Sequence, residues 1–302
     1  LSIQKNILNS DILLINDKEL SIYKKNFNIN NIKLVIDCAN GGMSLIATKI
    51  FNHENHLIYN NQPDGYNINS YCGSEFPEKL TEKVLDYQAD IGIAFDGDGD
   101  RLVVSDENGC ILSGEKILGI FAQYFKDQGL LKNNTVVTTC MSNIALYKYL
   151  KELEINVITT DVGDRNLLYK MKENKVILGG ENSGHFIINN FCSCGDGLLS
   201  ALILIDIIKK SGKKLSELSS IFTLYPQKLI NVNISKKPPL ENLVSLQKIL
   251  NDAENELRER GRVLIRYSGT ESICRVMVEG DSDYLVEKYS KLISVEIERL
   301  IG

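Results

Sequence analysis

Ile91-Gly92-Ile93-Ala94-Phe95 is an unbroken apolar run that passes directly into Asp96-Gly97-Asp98-Gly99-Asp100-Arg101, and Leu102-Val103-Val104 follows. An apolar run of this length reads as a strand buried on both faces, as in a parallel sheet covered by helices. The acidic stretch therefore falls at the tip of a sheet, where open α/β folds bind their ligands. Glycine in each gap lets the loop curl and converge Asp96, Asp98 and Asp100. Converged carboxylates repel one another, and the usual remedy is a hard cation with oxygen ligands.

Two other readings compete for this loop. A solvated turn would also favour Asp and Gly. An EF-hand calcium loop would use Asp96, Asp98 and Asp100 as its first, third and fifth positions, with Glu107 at the twelfth. Its sixth position must be glycine for the sharp turn, and here it is Arg101. The flanks also read as strands, where an EF-hand has helices. A magnesium site with an arginine beside it is the reading that survives.

The rest of the chain repeats the strand–helix alternation. Lys33 to Asp37 and Leu57 to Tyr59 read as strands, with helices near Ser44–Phe51 and Pro77–Tyr87 between them and the acidic loop. That is β-α-β-α-β, a parallel sheet with helical crossovers. Asn40-Gly41-Gly42 lacks the Gly-Lys-Ser/Thr ending of a P-loop, so close packing explains its glycines better than phosphate does. Asp106-Glu107-Asn108-Gly109 reads as a hairpin turn. A second array follows: helix Glu115–Asp127, strand Val136–Thr139, a helix capped by Ser142, strand Val157–Thr160, helix Asp164–Glu173 and strand Val176–Leu178. An apolar helix, Gly197–Lys210, closes it. Beyond Tyr225-Pro226 come strand Lys228–Asn233, the stiff connector Lys236-Lys237-Pro238-Pro239, and a helix from Glu241 to Arg260 ended by Gly261. Strands Val263–Tyr267 and Arg275–Glu279 and a final helix complete the chain. The expected architecture is α/β: a polar lead-in over 1–30, α/β domains over 31–112 and 113–224, and a small α+β domain over 225–302.

With 302 residues, 43% hydrophobic and 24% charged, each domain can bury a core. The net charge of −5 argues against a nucleic-acid or anionic-membrane partner. Seven scattered cysteines do not suggest a disulfide framework, and a reducing cytoplasm fits them. Cys192-Ser193-Cys194 lacks zinc-pair spacing, and His53 and His56 read as surface or interface histidines. The longest apolar run, Leu198 to Ile208, contains Asp206 and is too short to cross a bilayer. The chain begins with Leu1 and reads as a fragment.

Two further loops carry chemistry. Gly179-Gly180-Glu181-Asn182-Ser183-Gly184-His185 presents a carboxylate, a hydroxyl and an imidazole on glycine-flanked backbone at a strand end. Glu181 and Ser183 suit vicinal sugar hydroxyls, and His185 suits proton transfer; the plain alternative is a strand-end turn with a satisfied histidine. Arg266-Tyr267-Ser268-Gly269-Thr270-Glu271, with Arg275 on the return strand, offers two guanidiniums, two hydroxyls and open backbone. That is a phosphate cradle, against the alternative of a hairpin with surface arginines. A metal site, a hydroxyl reader and a phosphate clamp, one per domain, suit a phosphorylated sugar held in a cleft.

With those three loops in that order, the chain resembles the α-D-phosphohexomutases, and within them the bacterial phosphoglucosamine mutase branch. Supporting stretches are Pro63 to Asn69 with Cys72-Gly73-Ser74, Gly195 to Leu199, and Arg275 to Gly280; the resemblance runs from about residue 30 to the end. It implies that Asp96, Asp98 and Asp100 bind magnesium and that Arg101 helps hold the transferring phosphoryl group. It implies that Glu181 and Ser183 grip sugar hydroxyls, and it matches His185 to an acid/base position. Arg266, Ser268, Gly269, Thr270 and Arg275 would hold the phosphate that stays, and Gly163, Asp164 and Arg165, after Val162, match a loop lining the same cleft. The substrate implied is a phosphorylated hexose or hexosamine. The reaction implied interconverts glucosamine 6-phosphate and glucosamine 1-phosphate through a bisphosphate, in amino-sugar and cell-wall precursor synthesis. Phosphomannomutase/phosphoglucomutase activity and a non-catalytic phosphosugar-binding remnant are the alternatives. Asn182, Tyr267 and Ser272 depart from the family's usual glutamine, lysine and proline. The family's first domain carries a phosphorylated serine in a Thr-Ala-Ser-His-Asn-Pro type motif, whose phosphate is also a metal ligand. None of the three histidines here follows a serine. Residues 1–30 are therefore expected to be a linker from a missing first domain, supplied upstream or separately, and the chain alone is expected to be inactive.

Overall fold

The computed structural model describes residues 23, 25–189, 194–269 and 271–302. Thr270, Cys192, Ser193 and most of the expected lead-in over 1–30 lie outside the described residues. The chain divides into two compact units. One comprises the described residues up to Ser142 together with Leu150–Ile221; the other comprises Asn143–Tyr149 and Phe222–Gly302.

The first unit holds two sheets. Strand β1 (Leu34–Asp37) leads through helix α1 (Met43–Ile50) to β2 (His56–Tyr59), and α2 (Glu78–Tyr87) then leads to β3 (Ile91–Phe95). β4 (Leu102–Asp106) and β5 (Ile111–Leu112) complete a sheet of order β2-β1-β3-β4-β5. β1, β2 and β3 run parallel, whereas β4 and β5 return antiparallel through the Asp106–Gly109 turn. Every residue of β1 and β3 is buried, which is why both read as unbroken apolar runs. Leu80 and Val84 of α2 pack on Val35 and Ala94, setting one layer of the core.

Helix α3 (Gly114–Asp127) leads into the second sheet: β6 (Thr135–Thr139), then α4 (Ile144–Glu152), β7 (Asn156–Thr160), α5 (Asp164–Asn174), β8 (Leu178–Gly180) and β9 (Phe186–Ile188). Its order is β7-β6-β8-β9, parallel except for β9. The buried helix α6 (Gly197–Ser211) follows, capped by the Asp196 carboxylate, which accepts from Leu199 N at 2.8 Å. Two local expectations are corrected. β8 begins at Leu178, two residues later than Val176, so both glycines that open the 181–185 loop are strand or strand end. The cap of α4 is Asn143, whose side-chain oxygen accepts from Ala145 N at 3.1 Å, and the Ser142 hydroxyl instead shares a 2.6 Å bond with Thr138.

The second unit is an antiparallel sheet of order β10-β12-β11, built from β10 (Gln227–Asn233), β11 (Gly261–Tyr267) and β12 (Ile273–Gly280). Helices α7 (Val244–Leu257) and α8 (Asp283–Ile301) bury one face through Leu246, Ile293 and Ile297 against Cys274, Val276 and Val278. The α-helical part of α7 stops at Leu257, and a 3-10 turn over Arg258–Arg260 carries the helical stretch to the expected Arg260. Gly261 is the first residue of β11 with extended φ of −173°, and a Cβ there would meet Glu279 O at 2.4 Å. It is required by strand packing and not by a helix end. On the other sheet face Glu279, fully buried, accepts from Arg262 Nε (2.7 Å), Gln227 Nε2 (3.0 Å) and Ile144 N (2.9 Å). That carboxylate at the start of α4 ties residues 143–149 into this unit.

Candidate active site

The acidic loop is held from both ends. Gly42 N, at the start of α1, donates to Gly97 O at 2.8 Å, and a Cβ on Gly41 would meet the same oxygen at 2.2 Å. Gly41 thus serves close packing, whereas a Cβ on Gly42 would lie 3.7 Å from Gly97 O and be tolerated. Asp37, fully buried below the loop, accepts from Ala39 N (2.9 Å), Asn60 Nδ2 (3.0 Å) and Gly73 N (3.0 Å), which fixes the 60–73 segment. Ile68 and Asn69 of that segment pack against Gly97.

Within the loop, Asp96 Oδ1 accepts from Gly99 N (3.1 Å) and Arg101 N (3.2 Å). Gly99 has φ of +77°, which a side chain would strain. Asp96, Asp98 and Asp100 each bring one oxygen within 4.8 Å of the others; Asp96 is buried, Asp98 exposed and Asp100 half-buried. Burial, and next the Asp96 carboxylate, push the Asp100 carboxyl up to about 6, against the pull of His185. Three crowded hard oxygens, one of them resisting ionisation, are a donor set that fits a magnesium ion. Arg101 Nε lies 3.5 Å from Asp96 Oδ2, with its side chain half-exposed.

The glycine-rich loop after β8 meets the acidic loop directly. Arg101 and His185 form an antiparallel bridge, and Leu102 N donates to Gly184 O at 2.9 Å. Gly184 has φ of +89°, and a Cβ on it would lie 2.2 Å from Leu102 O. His185 is 4% exposed; its Nδ1 sits 3.2 Å from Asp100 Oδ2, and its Nε2 is buried with no partner among the described residues. Glu181 Oε1 accepts from Gly163 N at 3.0 Å, which brings the 163–165 loop to the same place. Asp164, Arg165 and Ser183 are exposed there. Two hollows of about 450 and 420 Å3 share Asp100, Asp164 and His185 in their walls; Arg101, Glu181 and Ser183 line the first, Asp98 and Arg165 the second.

In the second unit the register sets Arg266 directly opposite Arg275, with Asn231 on the far side of Arg275. Like charges directly opposed on neighbouring strands are unfavourable without an anion between them. Arg275 donates to Glu271 Oε2 at 3.1 Å, while its buried Nε has no partner among the described residues. Ser268 is buried, Gly269 is exposed, and Ser268 N donates to Ile273 O at 2.9 Å.

Family models for phosphoglucomutase/phosphomannomutase match along almost the whole chain. Domain II matches residues 17–109, domain III residues 113–225, and the C-terminal domain residues 229–294. The chain belongs to the phosphoglucomutase/phosphomannomutase family. It is 46% identical over 270 residues to phosphoglucosamine mutase of Listeria monocytogenes, covering 89% of this chain and 60% of that protein. It is 42% identical over 282 residues to phosphoglucosamine mutase of Syntrophus aciditrophicus, covering 93% of this chain and 63% of that protein. The chain therefore spans less than two thirds of the length of these relatives. Its fold matches Aspergillus fumigatus N-acetylphosphoglucosamine mutase in complex with GlcNAc-6P and magnesium, with TM-score 0.72 at 18% identity over 93% of this chain and 64% of that one.

Sequence reasoning missed the residues that hold these loops in place. Thr138, fully buried, donates to Gly180 O at 2.8 Å, so its 2.6 Å bond with Ser142 must receive the Ser142 proton. Gly197 N donates to Gly99 O at 3.0 Å, joining the start of α6 to the acidic loop. Lys237 donates to the carbonyls of Ser268 and Glu271. Nothing in the local sequence marks Thr138 or Lys237; the stretch Gly195 to Leu199, shared with the family, marks Gly197.

Proposed function

We propose that this chain is the metal-, sugar- and phosphate-binding part of a phosphoglucosamine mutase, acting on glucosamine 6-phosphate and glucosamine 1-phosphate. The observation that carries the reading is the bridge between Arg101 and His185. It brings the three aspartates, a guanidinium, the Glu181–His185 loop and the 163–165 loop to one place in one unit. The names of the relatives support the amino-sugar substrate.

Asp96, Asp98 and Asp100 would hold magnesium, which when bound offsets the charge spread over a transferring phosphoryl group. Arg101 adds a second cation from the same loop. Glu181 and Ser183 accept from and donate to sugar hydroxyls, and the second carboxylate oxygen of Glu181 is not used by Gly163 N. His185 Nε2 is the proton-handling atom, because Nδ1 is turned to Asp100. Arg266, Ser268, Gly269, Thr270 and Arg275 hold the phosphate that is not transferred. The serine that carries the phosphoryl group belongs to the part of the relatives this chain does not span.

Calorimetry with glucosamine 6-phosphate and magnesium tests the reading. Binding is expected, and Arg275→Ala should weaken it about tenfold or more, since a charge-assisted bond contributes roughly 1.5–3 kcal/mol. Absence of binding by the wild-type chain, or wild-type affinity in Arg275→Ala, would remove the phosphate-loop assignment. Tighter binding of glucose or mannose phosphate than of the amino sugar would move the substrate to the neutral hexoses.

A further inference from the structure

We propose that Lys237 is a positioning residue of the phosphate loop and sets that loop's charge to match a phosphate dianion. The inference rests on the reading of the 266–275 loop as the phosphate holder. Lys237 Nζ donates to Ser268 O at 2.6 Å and to Glu271 O at 3.0 Å, so one ammonium grips both ends of the loop's turn. Its own backbone is braced. The next residue, Pro238, has little freedom and accepts from the Tyr267 hydroxyl at 2.7 Å. An ammonium bound to both carbonyls offsets the negative ends of two peptide dipoles that would otherwise oppose an anion in the loop.

The charge count points the same way. Arg266, Arg275 and Lys237 bring three positive charges to the loop, and Glu271 brings one negative. Two positive charges remain, which a phosphate ester dianion neutralises. Glu271 Oε2 sits 3.1 Å from Arg275 Nη2 and 3.4 Å from Ser268 Oγ. It occupies donors that the phosphate needs, and it is exposed enough to swing aside. The Arg266 guanidinium has no hydrogen bond or ion pair among the described residues, and Arg275 faces it across the ladder. Lys237 and Glu271 therefore act with opposite sign on the same affinity.

The test compares glucose 6-phosphate with glucose 6-sulfate, which have similar shape but different charge, by calorimetry at fixed salt. The wild-type chain should prefer the phosphate ester. In Lys237→Met the phosphate ester should weaken about tenfold and the sulfate ester much less, so the preference narrows. In Glu271→Gln the phosphate ester should bind more tightly than in wild type. A lysine that only shaped the backbone would weaken both esters by the same factor, and that result overturns the inference. So does Lys237→Met binding both esters as wild type does while Arg275→Ala loses them, an outcome that leaves the phosphate-loop reading standing. Wild-type chain that binds neither ester removes both. Lys237 is exposed, so the variant should keep the wild-type melting curve, and Glu271→Gln stands as an independent arm.

Discussion

Asp96, Asp98 and Asp100 carry three like charges whose oxygens lie within 4.8 Å, set against backbone amides, Arg101 and His185. Such a cluster is a local cost that a divalent cation removes. With its carboxyl pushed up to about 6, Asp100 holds a proton in the folded chain over a range where the unfolded chain has lost it. The folded state then binds more protons, so stability falls as pH rises from about 4 through 6, and it levels off above. Magnesium should reverse that trend. The gain in melting temperature on adding magnesium should be larger at about pH 7.5 than at about pH 5, and it should vanish in Asp98→Ala. An equal gain at both pH values, or one that persists in Asp98→Ala, would place the ion elsewhere. At this scale the candidate groups were legible, because the carboxylates and arginines proposed to touch ligands are clustered in sequence. Their supports were not. Thr138 acts 42 residues from its acceptor Gly180, and Lys237 acts 31 residues from Ser268. Neither has a local pattern that would mark it.

Strands were the most legible elements, since residues buried on both faces leave unbroken apolar runs such as Ile91–Phe95. Helix ends were less so. Gly261 looked like a helix stop, yet its extended backbone and the nearness of Glu279 O show that it serves strand pairing. Joining of elements was invisible in sequence: the bridge between Arg101 and His185 links residues 84 positions apart, and only the fold creates it. Gly184 is where that joint is most exposed to damage. Alanine there would hold φ of +89° and put a Cβ 2.2 Å from Leu102 O, so backbone must move. Gly184→Ala should destabilise by more than about 1 kcal/mol, lowering the melting temperature by at least roughly 2–4 °C. It should also weaken magnesium binding although it removes no ligand, because the 181–185 loop and the acidic loop share the Leu102 contact. Unchanged melting and unchanged magnesium affinity in this variant would mean that the two loops are not mechanically joined.

At the scale of the whole molecule, the order of three α/β and α+β segments was readable from alternating apolar runs and helical stretches, and the family matches follow the same order. The grouping of Asn143–Tyr149 with the C-terminal sheet was not, because it depends on Glu279, a buried carboxylate that sequence reads as an ordinary strand-end residue. A mutase must hand a phosphoryl group to a carrier and take it back, and positioning alone cannot replace that carrier. The proposed roles of the Ser183 and Ser268 hydroxyls are to meet sugar and the phosphate that stays. The Ser268 hydroxyl lies 3.4 Å from Glu271 Oε2, too long to activate a nucleophile. Ser183 is exposed, and His185, two residues on, turns Nδ1 to Asp100 and buries Nε2. Binding can therefore survive where chemistry does not. Incubated with glucosamine 6-phosphate, magnesium and a hexose bisphosphate, the 302-residue chain should form no glucosamine 1-phosphate. Activity should return when a serine-bearing first domain of a relative is added or fused. Sustained product from the chain alone would assign the carrier to one of its own hydroxyls, and mass analysis of the trapped phosphoprotein would identify which.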